Sequence, residues 1–299
     1  MSQTGTPTLD QLRVLATVAE TGSFSAAARR LNRAQSVVSY TMTNLEAQLG
    51  LALFESGRRR PVLTEAGRAV LADARRIARM VDELRARASG LTAGLEAEIG
   101  LAVDVMFPTA RLVALLEAFA RQFPTVALRL RVEALGGVVQ LVLDRTCGLG
   151  ISGPMGIRAE GVERRLLGHV ELVPVASPSH PLAHLPPPLP ASAFYDHTQL
   201  VLSDRSQLTE GQEFGVVSLR TWRLGDLGAK HALLRAGLGW GSMPAHMVCE
   251  DLRAGTLVRL EPAEAASHQF PLLLIHRADS PPGPATSWLA ERIFAAPNG

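Results

Sequence analysis

The side chains best suited to chemistry with another molecule lie in two short stretches near the N-terminus. Ser56-Gly57-Arg58-Arg59-Arg60 sets three guanidinium groups side by side, a donor array that matches phosphate oxygens or a narrow groove between them. Just upstream, Gln35, Ser36, Tyr40 and Thr43 offer uncharged amide and hydroxyl groups of the kind that hydrogen-bond to the edges of nucleic-acid bases. A run of arginines by itself is more often a solvated surface. What surrounds these residues decides between the two readings.

No constellation for making or breaking bonds emerges. Gly148-Leu149-Gly150-Ile151-Ser152-Gly153 fits the spacing of a dinucleotide-binding turn, but it reads as a strand itself, and Pro154 follows where a helix would have to open. Gly237-Leu238-Gly239-Trp240-Gly241-Ser242 lacks the Lys-Ser/Thr ending of a phosphate loop. Ser242 is followed by Met243-Pro244, so it is no nucleophile elbow. His180 and His184 are four apart, but Pro181 and the prolines after Leu185 prevent a shared helix face. The chain is therefore read as no enzyme, with no metal and no resident cofactor. Cys147 and Cys249 are too few to frame a disulfide scaffold and are read as two buried free thiols.

The elements that position the first stretches follow from local signals. Thr8 with Gln11 forms a capping box for a first helix that buries Leu12, Leu15 and Ala19 and stops at Gly22. Ser23 caps a second, with Ala27, Ala28 and Leu31 on one face. After a turn at Asn32-Arg33, a third runs from about Ala34 to Leu49 and is closed by Gly50. Val38, Met42, Leu45 and Leu49 recur at helical spacing and form its buried stripe. Ser36, Tyr40 and Thr43 then fall on the opposite face. A solvated helix face would carry Glu and Lys; this one is polar and uncharged. Leu51–Glu55 and Pro61–Leu63 read as two short strands with the arginines at their tip. Thr64 caps a long helix in which Val70, Ala74, Ile77, Val81, Leu84 and Ala88 mark a heptad seam, expected to meet the same helix of a second subunit. Val70, Ile77, Val81 and Leu84 are the expected dimerisation residues.

Charge is distributed to match. Residues 1–90 carry 13 arginines against eight acidic residues, whereas the remainder is mildly acidic. Only one end is expected to meet a polyanion. The chain holds a single lysine, Lys230, among 30 basic residues. That skew most simply reflects GC-rich coding, so arginine abundance alone says nothing about nucleic acid. With 299 residues, 47% hydrophobic and 19% charged, there is ample material for packed domains. No apolar run is long enough to cross a bilayer, and Met1–Pro7 lacks the layout of a signal peptide. A cytoplasmic location with no membrane partner is expected.

Gly22-Ser23-Phe24-Ser25-Ala26-Ala27-Ala28, Leu31, Gln35, Ser39, Leu45-Glu46, Leu49-Gly50, Leu53-Phe54 and Leu63-Thr64-Glu65-Ala66-Gly67 together resemble the N-terminal signature of LysR-type transcriptional regulators. The match is dense over the first 70 residues. It implies a mainly α winged helix-turn-helix head with a long linker helix, then an α/β bilobed domain like a periplasmic binding protein. It also implies homodimers, commonly paired into homotetramers, on double-stranded promoter DNA, with RNA polymerase a further candidate partner. The expected DNA-contacting residues are Ser25, Gln35, Ser36, Val37, Tyr40, Thr43, Arg58, Arg59 and Arg60. Two residues depart from the family pattern: Ser56 stands where an arginine is common, and Gly148 where an aspartate is common.

Past residue 94 the pattern alternates strands and helices, as in an α/β domain with parallel strands. Strands are expected at Glu98–Val105, Val126–Glu133, Leu149–Ser152, Leu200–Leu202 and Pro271–His276, and helices at Arg111–Phe123, Val138–Leu143 and Ala285–Phe294. The chain is expected to cross between two lobes near Gly168 and near Phe270. The expected organisation is a head over 1–63, a linker helix over 64–92 and an effector domain over 93–299. Lobe I would hold about 93–168 and 271–299, and lobe II about 169–270. In such folds ligands gather at strand C-termini and helix N-termini. Phe107, Pro108 and Thr109, Gly136 and Gly137, Ser203 and Asp204, and Asp226 are the expected contacts for a small-molecule effector. A solute-binding component would account for this half but not for the basic head. An α/β enzyme would need a reactive cluster that the sequence lacks.

Overall fold

The structure is a computed structural model that describes residues 5–55, 60–154, 160–203, 206–209, 211–212, 214–263 and 268–295. The chain divides into two compact units, Met1–Ser89 and Gly90–Gly299.

The first unit holds α1 (Leu9–Thr21), α2 (Phe24–Arg30), α3 (Gln35–Leu49) and most of α4 (Glu65–Thr92). The capping box forms: the Thr8 side chain accepts from Gln11 N (3.3 Å), and Gln11 Oε1 accepts from Thr8 N (2.8 Å). Ser23 accepts from Ala26 N at the start of α2. Gly22, at φ 63°, closes α1 in the left-handed conformation that glycine adopts without strain. Val14, Leu15, Val18, Ala27, Ala28, Val38, Met42 and Leu45 form the core with Leu53, Leu71 and Ala74. The buried stripe of α1 differs from expectation. Gln11, Val14, Leu15 and Val18 are its buried residues, while Leu12 and Ala19 are only half-buried. The apolar face of α1 is broad, and both α2 and α3 pack on it, so the line of deepest burial is set by two neighbours at once.

The wing also differs from expectation. The two short strands reduce to one antiparallel bridge, Phe54 to Leu63, extended by Glu55 N to Val62 O (2.8 Å) and Thr64 N to Leu53 O (3.0 Å). Glu46 of α3 holds its base: Oε1 accepts from Leu53 N (2.7 Å) and Phe54 N (3.2 Å). Thr64 caps α4 by accepting from Gly67 N (2.9 Å). Gly67 lies so close to the wing that an added Cβ would sit 2.1 Å from Leu53 O. A side chain there would force helix and wing apart.

The second unit is built on a nine-stranded sheet. In chain order its elements are β1 (Glu98–Asp104), α5 (Thr109–Gln122), β2 (Ala127–Glu133), α6 (Gly137–Leu143), β3 (Leu149–Ser152), β4 (Val162–Ala176), α7 (Ala191–Tyr195), β5 (Gln199–Leu202), β6 (Thr221–Leu224), α8 (Leu227–Arg235), β7 (Trp240–Pro244), α9 (Ala245–Ala254), β8 (Val258–Arg259), β9 (His268–Arg277) and α10 (Pro284–Ala295). The strand order is β2-β1-β3-β9-β4-β7-β5-β6, with β8 paired to β4. β1 pairs in parallel with β2 and β3, and β5 in parallel with β6 and β7. These two parallel groups flank an antiparallel ribbon, β4 with β9, that runs from Val162 opposite Arg277 to Leu172 opposite His268. The expected crossings fall inside this ribbon, Gly168 opposite Leu272 and Val170 opposite Phe270, with the register shifting between Leu166 and Gly168. The segment Gly148–Gly153 is indeed mostly strand, the fully buried β3.

The thiols differ from one another. Cys147 is buried, and burial raises its pKa. Cys249 is exposed, which corrects the expectation of two buried thiols: it lies on the outer face of amphipathic α9, whose buried residues are Val248 and Asp251.

Candidate nucleic-acid interface and ligand cavity

α3 turns Val38, Met42 and Leu45 inward. Its opposite face presents Gln35, Ser36, Val37, Tyr40 and Thr43, all exposed, with Tyr40 at 68%. No side chain caps the helix at Ala34, so its first-turn N–H groups are not taken up by a capping oxygen. Ser25 is half-buried on α2. Ser25, Gln35 and Arg60 line one concavity with Gly22, Ser23, Phe24 and Pro61. The fold therefore brings the start of α2, the start of α3 and the foot of the wing to one place. Arg58 and Arg59 lie outside the described residues. Part of the head's positive charge is used internally. Arg33 makes a bidentate pair with Asp10, both distances 2.7 Å, and holds the Asp10 carboxyl below its ordinary pKa. Arg30 pairs with Glu20.

On α4 the heptad positions separate. Val70 packs against the head core, Ala74 is part of it, and Val81 lines a small cavity with Leu9 and Leu12 of α1. Ile77, Met80 and Leu84 are exposed, at 36, 61 and 64%. Met80 was not among the expected positions.

The second unit contains a cavity of about 500 Å³ that is partly open to solvent. Its described lining includes Met106 and Leu135, the ribbon residues Leu172, Pro174, Phe270 and Pro271, and Phe194, Leu200, Phe214, Lys230 and Trp240. Of the expected effector residues, Phe107, Pro108, Thr109, Gly136, Gly137, Ser203 and Asp226 are not among its described lining residues. Phe107 and Gly136 are buried, Pro108 and Gly137 half-buried, and Thr109 is exposed at the start of α5. Ser203 is half-buried. Asp226 is exposed and caps α8, accepting from Ala229 N. Asp204 lies outside the described residues. Their chain neighbours Met106, Leu135 and Leu202 do line the cavity.

Two polar features of the wall escaped the sequence. Gln199, 4% exposed, donates from Nε2 to Gly215 O (2.7 Å) and accepts at Oε1 from Val217 N (2.8 Å) and Ser218 N (3.1 Å). It pins the 214–218 segment over the cavity. Ser218 in turn donates to Phe194 O (2.7 Å) and accepts from Trp240 Nε1 (3.0 Å). The second feature is Lys230, 5% exposed, whose Nζ donates to Ser242 O at 2.8 Å. Burial lowers its pKa to about 8. Its one visible signal was rarity: it is the single lysine of the chain.

Two family models match this sequence. One, described as bacterial regulatory helix-turn-helix protein, lysR family, covers residues 9–68. The other, described as LysR substrate binding domain, covers residues 92–296. The chain belongs to the LysR family. It is similar to the HTH-type transcriptional regulator YhaJ of Escherichia coli, with 29% identity across 98% of this chain and 97% of the relative. It is also similar to the HTH-type transcriptional activator AllS of Klebsiella pneumoniae, with 28% identity across 83% of this chain and 93% of AllS. Among solved structures, an OxyR variant of Corynebacterium glutamicum shares the fold. Its TM-score is 0.52 at 22% identity, covering 97% of this chain and 93% of that one. This LysR-family chain is a DNA-binding transcriptional regulator with a substrate-binding domain, and its relatives are regulators rather than enzymes. Among the described residues no helix is long and apolar enough to cross a membrane.

Proposed function

We propose that the head reads duplex promoter DNA by laying the Gln35–Thr43 face of α3 in the major groove, with Ser25, Arg58, Arg59 and Arg60 on the flanking phosphates. The observation that carries this reading is the exposure of five uncharged residues on α3, whose first residue, Gln35, lines one concavity with Ser25 and Arg60. Residues 1–63 act as the reading head, 64–92 as the linker that joins two copies, and 93–299 as the effector domain. Lobes at about 93–168 with 271–299, and at about 169–270, close around the cavity between them. Effector binding changes the relative stability of two assemblies that hold the heads differently, which requires unequal affinity for the two. The working species is a homodimer or a pair of dimers in the cytoplasm, with RNA polymerase as a neighbour on the promoter.

Selection from random duplexes tests the head. Tyr40→Ala is expected to change which sequences are recovered, since it alters a groove-facing side chain. Arg60→Ala is expected to weaken binding to all sequences about equally, because a phosphate contact carries no sequence information. Unchanged selection by the first variant together with unchanged affinity of the second would reject this placement of α3 and the wing.

A further inference from the structure

Among the described residues lining the cavity, Lys230 is the one ionisable side chain. An ammonium has three N–H donors; among the described residues, Ser242 O is the acceptor that Nζ meets. Removing such a charge from water is costly unless a partner compensates it. The fold nevertheless makes room for it. At Gly241 an added Cβ would lie 2.7 Å from Leu200 O and 3.1 Å from Lys230 Cε. Glycine there lets the lysine stem pass along β7. α8, anchored by buried Leu227 and Leu234 and capped by Asp226, fixes where the stem begins.

The rest of the wall narrows the chemistry. Phe194, Phe214, Trp240 and Phe270 give it aromatic faces. Gln199 and the Trp240 N–H are engaged in holding the 214–218 segment. A cationic ligand would meet Lys230 in a poorly solvated space. A phosphate dianion would call for more positive charge than the described wall supplies. A monoanion brings one negative charge and acceptors beyond the one that Nζ finds among the described residues, and an apolar ring fits the faces around it.

We propose that the cavity takes an aromatic or alicyclic monocarboxylate, its carboxylate paired with the Lys230 ammonium and its ring set among Phe194, Phe214, Trp240 and Phe270. The proposal rests on reading this cavity as the effector site and assigns that effector a class.

Thermal melting of the full chain tests it with four acids, benzoate, phenylacetate, cyclohexanecarboxylate and 1-naphthoate, each set against its primary amide. The acids are expected to raise the melting temperature at millimolar concentration, and the amides to leave it unchanged. In Lys230→Met the affinity for the stabilising acid is expected to fall roughly ten- to a hundredfold, while Lys230→Arg retains part of it. Equal effects of acid and amide, no effect of any acid, or undiminished affinity in Lys230→Met would each overturn the assignment. The acid-against-amide comparison uses the unaltered protein, so it decides even where Lys230→Met does not fold. A DNA-retardation assay run beside it separates the two claims. Retained DNA binding without acid binding removes the ligand class alone, and acid binding without DNA binding removes the regulator mechanism alone.

Discussion

Affinity for duplex DNA is expected to drop by roughly a thousandfold or more between about 50 and 200 mM salt, because each phosphate neutralised by an arginine releases condensed counterions. The first 90 residues carry 13 arginines against eight acidic residues. That excess overstates what reaches DNA. Arg33, Arg30 and Arg76 are paired with Asp10, Glu20 and Asp73. The arginines at the wing and the start of α3, which no side chain caps, leave on the order of three to five phosphate contacts per head. Two heads on one site give roughly six to ten, and a slope of log K against log salt of about −5 to −9. Anisotropy titrations at stepped potassium chloride read this slope. A line near zero would mean that the basic surface does not touch the backbone. A slope near half the expected value would mean that only one head engages.

Ile77→Asp is expected to convert the assembly to monomers of 32.0 kDa and to weaken promoter binding by about a hundredfold to ten-thousandfold, through loss of the second head. The reason lies in how α4 divides its apolar residues. Leu71 and Ala74 are buried in the head core, and Val81 faces α1, so changing these would unfold the head. Ile77, Met80 and Leu84 form a stripe at spacings of three and four, Met80 and Leu84 mostly exposed and Ile77 about a third exposed. An exposed stripe of this kind on an arginine-rich helix fits a partner helix. An aspartate at 77 stays solvated in the monomer, so the fold is retained while the contact between copies is lost. Sedimentation velocity distinguishes the outcomes: an unchanged oligomer in Ile77→Asp would place the interface elsewhere.

The head was legible in the sequence because its determinants are local. Thr8 with Gln11, Ser23, Gly22 and Gly50 mark helix ends within three residues of where they act. The inward stripe of α3 fixes its outward face by periodicity alone. What escaped depends on partners far along the chain. Glu46 clamps the backbone of Leu53 and Phe54, and nothing in the helix pattern distinguishes it from a solvated glutamate. β4 is one 15-residue strand, yet Glu163, Arg164, Arg165 and Glu171 hide the apolar alternation because much of its length is only partly covered. Its pairing with β9 joins residues about a hundred apart. Of the residues expected to contact an effector, none that is described lines the cavity. Met106 and Leu135, two positions past β1 and β2, and Leu202 at the end of β5 line the wall; which side chains of a turn face inward is settled by packing, not by the turn signal. Lys230 faces the cavity from the buried side of a helix, a direction settled only by packing against β7.

A competition titration of the unaltered protein tests the central claim most directly. A labelled duplex from upstream of its own coding sequence is displaced by the same duplex unlabelled or by a base-shuffled one of equal length and composition, at physiological salt. The specific duplex is expected to compete at least about a thousandfold better. Equal competition by the two would mean that the outward face of α3 reads no bases.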